Sequence, residues 1–459
     1  DPMIAIGANV PRSMLQNSSH QGADNVGLHK ANTKLSMEIY TTNNIPETID
    51  NAFRTALQPR RGACFLSFPQ DVLTEKSVLK AKPALPLPTE GLASATLITD
   101  ITDLIQKAKL PVLFVGEEAS RPENTAALRT LLEKTRLPVV STFQAAGVVS
   151  RNLEEIFIGR VGLFKNQPGD KLLDAADLII TVGYNTVEYD PETWNTAGDK
   201  TIIHIDYNAA KLHNCYRPQK EVIGNISGNI LALAHQLDPK KAAKKQDFIQ
   251  SLHLELKQNI NTGIDNNNTP IHPLRFIHEL RQAVDDDTRI ICDVGSVYMW
   301  FARNFLSYKP HHLLFSNGQQ TLGIGLPWAM GVLFAHPEQS VISISGDGGF
   351  LFSAMELETA VREKCNLVHF IWQDQRYNMV YEQELMKYKR GSGVDFGKLD
   401  IPAFAKGFGA TGFTLENPND FAKVFKTAQD TPGPVLINVP IDYSDNQKMF
   451  EGTHTEVGN

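Results

Sequence analysis

Residues 341–383 read VISISGDGGFLFSAMELETAVREKCNLVHFIWQDQRYNMVYEQ. Residues 341–345 form a short, apolar, β-rich run, so a strand is expected. Gly346-Asp347-Gly348-Gly349 stops it, because three glycines favour a turn with positive φ or a close backbone approach. Ser353 followed by Glu356 has the spacing of a capping box, and Met355, Leu357 and Ala360 continue at helical spacing. Residues 366–372 predict a second strand. A strand, helix and strand this close in sequence make a parallel crossover, so both strands run the same way. Asp347 and Asp374, 27 residues apart, then stand at the carboxyl ends of neighbouring strands, the edge where open α/β sheets bind ligands. Two carboxylates beside glycines that leave N–H groups open suit a divalent cation holding a diphosphate.

Further from this stretch, composition narrows the class. The chain has 459 residues, with a net charge of −7 and hydrophobic residues at 42%. At about 150 residues per domain, three domains are expected. No basic surface invites nucleic acid. The longest apolar run, 322–335, is broken by Gly323, Gly325, Pro327 and Gly331, and it falls short of the roughly 18 residues of a membrane span. Cys64, Cys215, Cys292 and Cys365 lack metal or redox spacing. They read as reduced core thiols of a cytoplasmic protein.

Three α/β units follow in order, each expected to carry a parallel sheet. The first covers 1–82. It has expected strands at 3–8, taken as buried, and at 62–69, with a helix over 45–57. Two strands in about 80 residues are few for an α/β domain of roughly 100–150, so the front of this domain is expected to be absent. Lys82-Pro83-Ala84-Leu85-Pro86-Leu87-Pro88 is an extended linker. The second unit, 92–238, alternates strands at 111–115, 137–141, 178–182 and 201–205 with helices. Asp206 lies 23 residues beyond Gly183, as an acid that binds ribose would. No G-x-G-x-x-G accompanies it, so a structural sheet is the stronger reading. Residues 238–270, a lysine-rich segment expected to be helical and then an asparagine-rich one, read as a solvated linker. The third unit, 270–459, has strands at 290–294 and 435–439 besides the pair in the opening stretch.

Taken alone, Gly-Asp-Gly-Gly is a turn. The second acid and a third strand end, Gly295-Ser296, make it a candidate site. Magnesium takes six oxygens in near-octahedral order. Asp347, Asp374, the Arg376 carbonyl, two diphosphate oxygens and a water would supply them.

With these residues in view, the chain resembles the thiamine-diphosphate enzymes, whose motif is Gly-Asp-Gly followed, after one crossover, by a metal-binding Asn or Asp. Within them it is similar to the catabolic, FAD-independent acetolactate synthase group. That resemblance is carried by SNGQQTLG (316–323), GDGGFLFSAMELET (346–359), YNMV (377–380), GRVGLFKN (159–166) and VGYNTVEYDP (182–191). It covers essentially the whole chain. The fold it implies is three parallel-sheet α/β domains: pyrimidine-binding, Rossmann-like central, and diphosphate-binding. It implies Mg²⁺ on Asp347, Asp374 and the Arg376 carbonyl. Gly295, Ser296, Gly348, Gly349, Tyr377 and Asn378 would line the diphosphate. Gln320 would bind cofactor, and Leu322 would be a wedge beneath the thiazolium ring. Gln383 would approach substrate, and His20-Gln21 would reach the site from the first domain.

The implied reaction is condensation of two pyruvates to 2-acetolactate with loss of CO₂. No functional FAD is expected. Sites are expected at a subunit interface of a homodimer or homotetramer. In biosynthetic synthases a tryptophan follows the glutamine matched by Gln383 and favours 2-ketobutyrate; Glu384 here implies pyruvate as acceptor. Asp374-Gln375 replaces the paired asparagines common in the superfamily. The glutamate that activates the aminopyrimidine lies before the region matched, so no residue here is assigned that role, and the chain alone is expected to be impaired. Two rival readings are another thiamine-diphosphate enzyme, a pyruvate oxidase or 2-keto acid decarboxylase, and a cofactor-binding subunit without activity.

Overall fold

The computed structural model describes residues 1–80, 82–239 and 244–450. The chain divides into two compact units, one ending at Gly91 and one starting at Leu92.

The first unit holds β1 (Met3–Asn9), β2 (Leu35–Glu38) and β3 (Ala63–Pro69), in the order β1-β3-β2 with both pairings parallel. The helix Ile45–Leu57 opens with Pro46 and Glu47, both favourable in a first turn. It buries Ala52 and Ala56 against Cys64, Leu66 and Phe68. Strand β2 was not expected: it has only four residues and follows the polar run Asn32-Thr33-Lys34. The expectation that β1 is buried is corrected. Met3 and Ile6 are 57% and 66% exposed, since β1 is an edge strand paired on one side only.

The second unit contains two six-stranded, all-parallel sheets. One is made of β4 (Pro111–Val115), β5 (Val139–Ser141), β6 (Phe157–Arg160), β7 (Leu178–Val182), β8 (Thr201–Asp206) and β9 (Lys220–Ile223), ordered β6-β5-β4-β7-β8-β9. Its order reverses between β4 and β7. Every residue of β4 and β7 is buried, as expected where helices cover both faces. The helix Gln246–Asn261 packs Ile249, Leu252 and Leu256 onto this layer. That overturns the solvated-linker reading for its span; three apolar residues at helical spacing outweigh the polar composition. Residues 240–243, the centre of the lysine run, lie outside the described residues.

The other sheet comprises β10 (Arg289–Cys292), β11 (Leu313–Phe315), β12 (Val341–Gly346), β13 (Val368–Gln373), β14 (Thr411–Thr414) and β15 (Val435–Pro440), ordered β11-β10-β12-β13-β15-β14. All six residues of β13 are buried. Its Phe370 and Trp372 pack edge-on against Phe276 at 5.0 and 5.2 Å between ring centroids. Each such ring buried contributes about 1.5–3 kcal/mol. This core holds β10, β12 and β13 as neighbours, so their carboxyl ends come to one edge.

Two local expectations in the opening stretch are corrected. Gly346, Gly348 and Gly349 do not use positive φ; a one-turn helix, Asp347–Leu351, starts at the aspartate itself. The close approach does occur, because a methyl on Gly348 would stand 2.6 Å from the Tyr377 ring. Ser353 makes no capping bond, and its hydroxyl is buried without a partner. Glu356 N–H donates to the Ser353 carbonyl at 2.9 Å instead, forming a 3₁₀ turn that leaves the box geometry unformed.

Candidate active site

Where β10, β12 and β13 end, a cavity of about 270 Å³ opens. Gly295, Ser296, Gln320, Leu322, Asp347, Gly348, Gly349, Asp374, Arg376, Tyr377, Asn378 and Gln383 all line it. These are the twelve site residues the sequence suggested within the second unit. The remaining two, His20 and Gln21, lie exposed on a loop of the first unit, with Gln21 at φ 62°.

The lining is built from main chain as much as from side chains. Gly295, at φ 133°, caps the helix Ser296–Asn304, and Tyr377 caps the helix Asn378–Tyr388. Neither cap makes a side-chain bond, so first-turn N–H groups remain to be satisfied. Two such helix starts on one cavity offer N–H groups that suit an anion. Methyls on Gly295 or Gly346 would meet nothing within 4 Å, so bulk is withheld where a ligand can approach.

Asp347 ties the ends of two strands together. One of its oxygens accepts Gly348 N–H at 2.9 Å, and the other accepts Gln375 N–H at 2.7 Å. Asp374 accepts Asn378 Nδ2 at 2.9 Å, and the Arg376 N–H also faces it. Burial pushes the Asp347 carboxyl up to about 6, partly offset by its N–H donors. Burial, and then the Asp347 charge, push Asp374 up to about 7. Nearby positive charge is already engaged: Arg376 pairs with Asp395 and stacks 3.8 Å over the Tyr381 ring. The two acids thus share a cavity and repel each other, a condition that a hard divalent cation reverses. The residues present therefore fit a magnesium–diphosphate group.

A hydrogen-bonded relay backs the acids. Ser296 Oγ donates to Asn378 Oδ1 at 2.9 Å, and Asn446, fully buried, donates to Ser296 Oγ at 3.1 Å and also to Asn378. Trp300 Nε1 donates to Asn446 at 2.7 Å. In this arrangement the Ser296 hydroxyl donates its proton to Asn378, while the residue lines the cavity. Glu384 is turned away as well, accepting Ser392 N–H at 2.8 Å.

Val294, Val297, Met379, Val380 and Tyr443 also line the cavity and were not singled out from sequence. Met379 and Val380 sat inside the quoted YNMV. Tyr443 lies in a loop beyond β15 and carries no motif; its neighbours Asp374 and Asp347 add to burial in raising its phenol well above the usual range.

The other sheet has its own edge. Gly183 is at φ 57°, and a methyl there would meet Ala119 N at 2.6 Å. Asp206 accepts Asn208 N–H at 3.0 Å. Between β4 and β7, Glu188 occupies the crevice. Its carboxyl accepts Thr142 Oγ1 at 2.6 Å, Glu117 N–H at 3.1 Å and Asn185 N–H at 3.0 Å. Burial drives it up to about 8, with its donors opposing.

Among the described residues, Glu192, His213 and Cys215 also place potential ligand atoms within 4.8 Å of one another. Cys215 N–H already donates to His213 Nδ1, and His213 Nε2 faces Glu192, both at 3.3 Å. This cluster satisfies itself.

Comparison with known proteins places this architecture. Residues 293–439 match the profile of the thiamine pyrophosphate enzyme C-terminal TPP binding domain, and residues 98–233 match that of the thiamine pyrophosphate enzyme central domain. The two matched domains are those of a thiamine pyrophosphate enzyme. The chain is 47% identical to an acetolactate synthase of Bacillus subtilis (strain 168) over 97% of its own length and 78% of the relative's. It is 38% identical to a catabolic acetolactate synthase of Raoultella terrigena, over 99% of this chain and 81% of that one. Against the large subunit of acetolactate synthase isozyme 1 of Escherichia coli (strain K12), identity is 28%, covering 96% and 78%. The chain belongs to the acetolactate synthase family.

Proposed function

We propose that the chain condenses two pyruvates into 2-acetolactate and CO₂ with thiamine diphosphate and Mg²⁺. The observation that carries this is the single cavity shared by the acid pair, two uncapped helix starts, Leu322 and Gln383, in a chain 47% identical to an acetolactate synthase. Asp347, Asp374 and the Arg376 carbonyl hold the cation. Gly295, Ser296, Gly348, Gly349, Tyr377 and Asn378 receive the diphosphate. Gln320 contacts the cofactor, and Leu322 supports its ring system from below. When bound, the cofactor supplies the C2 nucleophile and the electron sink for decarboxylation. Gln383, exposed at the cavity rim, orients pyruvate.

The working form is a homodimer or homotetramer, with His20 and Gln21 of one chain completing the site of another. Leu351, Phe352, Met355 and Val380, 38–62% exposed, support it, as large apolar groups near a cavity commonly mark an interface. Three domains are assigned, 1–82, 92–238 and 270–459, the latter two within the second compact unit and with the helix Gln246–Asn261 packed on the central layer. A flavin has no functional role, a reading supported by the Glu188 carboxyl standing in the crevice of the central sheet. The protein is assigned to the cytoplasm; its four free, buried cysteines support this, and no described helix is long and apolar enough to cross a membrane.

The test is product analysis with pyruvate, thiamine diphosphate and Mg²⁺. Acetolactate as main product supports the assignment. Acetaldehyde or acetyl phosphate in its place would overturn it, and a visible absorption spectrum of the purified protein reports any bound flavin.

A further inference from the structure

Asp293 follows β10 directly, and it is 1% exposed. Its carboxylate is spent on main-chain N–H groups of the loop that carries Leu322. Oδ1 accepts Gly323 N–H at 3.0 Å and Val294 N–H at 2.7 Å, and Oδ2 accepts Gly325 N–H at 3.1 Å. The same carboxylate backs the opposite wall, since a methyl on Gly349 would stand 3.4 Å from Asp293 Cγ. Gly323 completes the fit. At φ 83° it uses a conformation that favours glycine, and a methyl there would meet Phe352 Cβ at 2.7 Å.

Leu322 immediately precedes the first anchored amide, which leaves no slack between the anchor and the residue lining the cavity. A strand end does not require a buried acid, and burying one costs several kcal/mol unless donors surround it. Burial accordingly raises the Asp293 carboxyl, against the N–H donors of residues 323–325 and Val294. Bonds to an ionised acceptor are about twice as strong as neutral ones, so what this acid adds is a stiff loop.

We infer that Asp293 is the positioning residue of the cavity: by pinning the Gly323 and Gly325 amides, it sets the height of Leu322 against the bound cofactor. This rests on Leu322 serving as the support beneath the ring. A shift of about 1 Å in such a support costs up to about a hundred-fold in rate, so the anchor matters although it does not touch the reacting atoms.

The experiment is Asp293→Asn in both the native and the Leu322→Ala backgrounds. The asparagine keeps the volume but sets an NH₂ group against one of the two glycine N–H donors. Expected are faster amide exchange across residues 322–326 of the cofactor-free protein and a thiamine diphosphate affinity, at saturating Mg²⁺, within about three-fold of native. Also expected are a kcat lower by about ten- to a hundred-fold, with KM for pyruvate little changed, and less than about a two-fold further loss from D293N in the L322A background. Unchanged exchange overturns the inference, as does D293N slowing L322A by the factor it imposes on the native protein. Full activity of L322A alone breaks the reading of Leu322 instead, so the two failures are told apart. Should D293N not fold, Gly325→Ala carries the same test, because its methyl would press on Asp293 Oδ2 at 3.3 Å and lift the carboxylate off that amide.

Discussion

At the carboxyl edge of the β10–β15 sheet, Asp347 and Asp374 face a cavity of about 270 Å³; at the same edge of the β4–β9 sheet, Glu188 faces the protein's own main chain. Both sheets are six-stranded and parallel, with a reversal in strand order. All three acids are pushed up by burial, to about 6, 7 and 8. A raised acid therefore does not mark the site. What separates the two edges is who supplies the donors. Glu188 collects a hydroxyl and two main-chain N–H groups from three separate segments, so its edge is closed. Asp347 and Asp374 lie side by side on the cavity, and the charge of one raises the other, so their edge presents acceptors that suit a cation.

The hardest test of that contrast is Asp347→Ala. It should weaken Mg²⁺-dependent binding of thiamine diphosphate by more than about a hundred-fold, measured by calorimetry, while the melting temperature of the cofactor-free protein changes little. Binding that survives the substitution would remove the cation from this edge.

Glu188→Ala should do the reverse. Two N–H groups and a hydroxyl lose their acceptor inside the protein, which costs about 2–4 kcal/mol of stability, seen as a lower melting temperature, with cofactor affinity affected far less than in D347A. Titration sharpens the point. Because the carboxyl is raised from its ordinary 4.5 to about 8, the stability linked to it is fully present below pH 4.5 and is lost as pH rises through 8. E188Q should flatten that fall. A native melting temperature independent of pH across this window would contradict the closed-edge description.

The open edge was the legible one. Its strand, glycine turn and second strand sit within 43 consecutive residues, and apolar runs broken by glycine are local signals. Glu188 was not legible. Thr-Val-Glu-Tyr-Asp carries no local signal of burial, and only its return onto Thr142 and Glu117, 46 and 71 residues away, buries the acid. Asp293 was hidden likewise, since its partners are 30 and 32 residues downstream. Ser353 shows the opposite error: the capping-box spacing was present, but packing chose a 3₁₀ turn and left the hydroxyl unused. Strand β1 was apolar enough to be read as buried, yet burial depends on neighbours that a seven-residue window does not contain.

Asp374→Asn should have the smallest effect, because the two acids of the open edge are not equivalent. Asp347 is fixed by N–H groups at 2.7–2.9 Å from two strand ends, its own and that of β13, whereas Asp374 accepts the side chain of Asn378 at 2.9 Å. An asparagine at 374 keeps an oxygen for the cation and removes one negative charge. The lost charge weakens the hold on Mg²⁺, since ligand charge tunes affinity, but it also relieves repulsion of Asp347 and of the diphosphate. The half-saturating Mg²⁺ concentration should therefore rise by about ten-fold or less, with cofactor affinity at saturating Mg²⁺ nearly unchanged. A loss as deep as that of D347A would mean that charge, rather than the fixed geometry of Asp347, holds the cation at this edge.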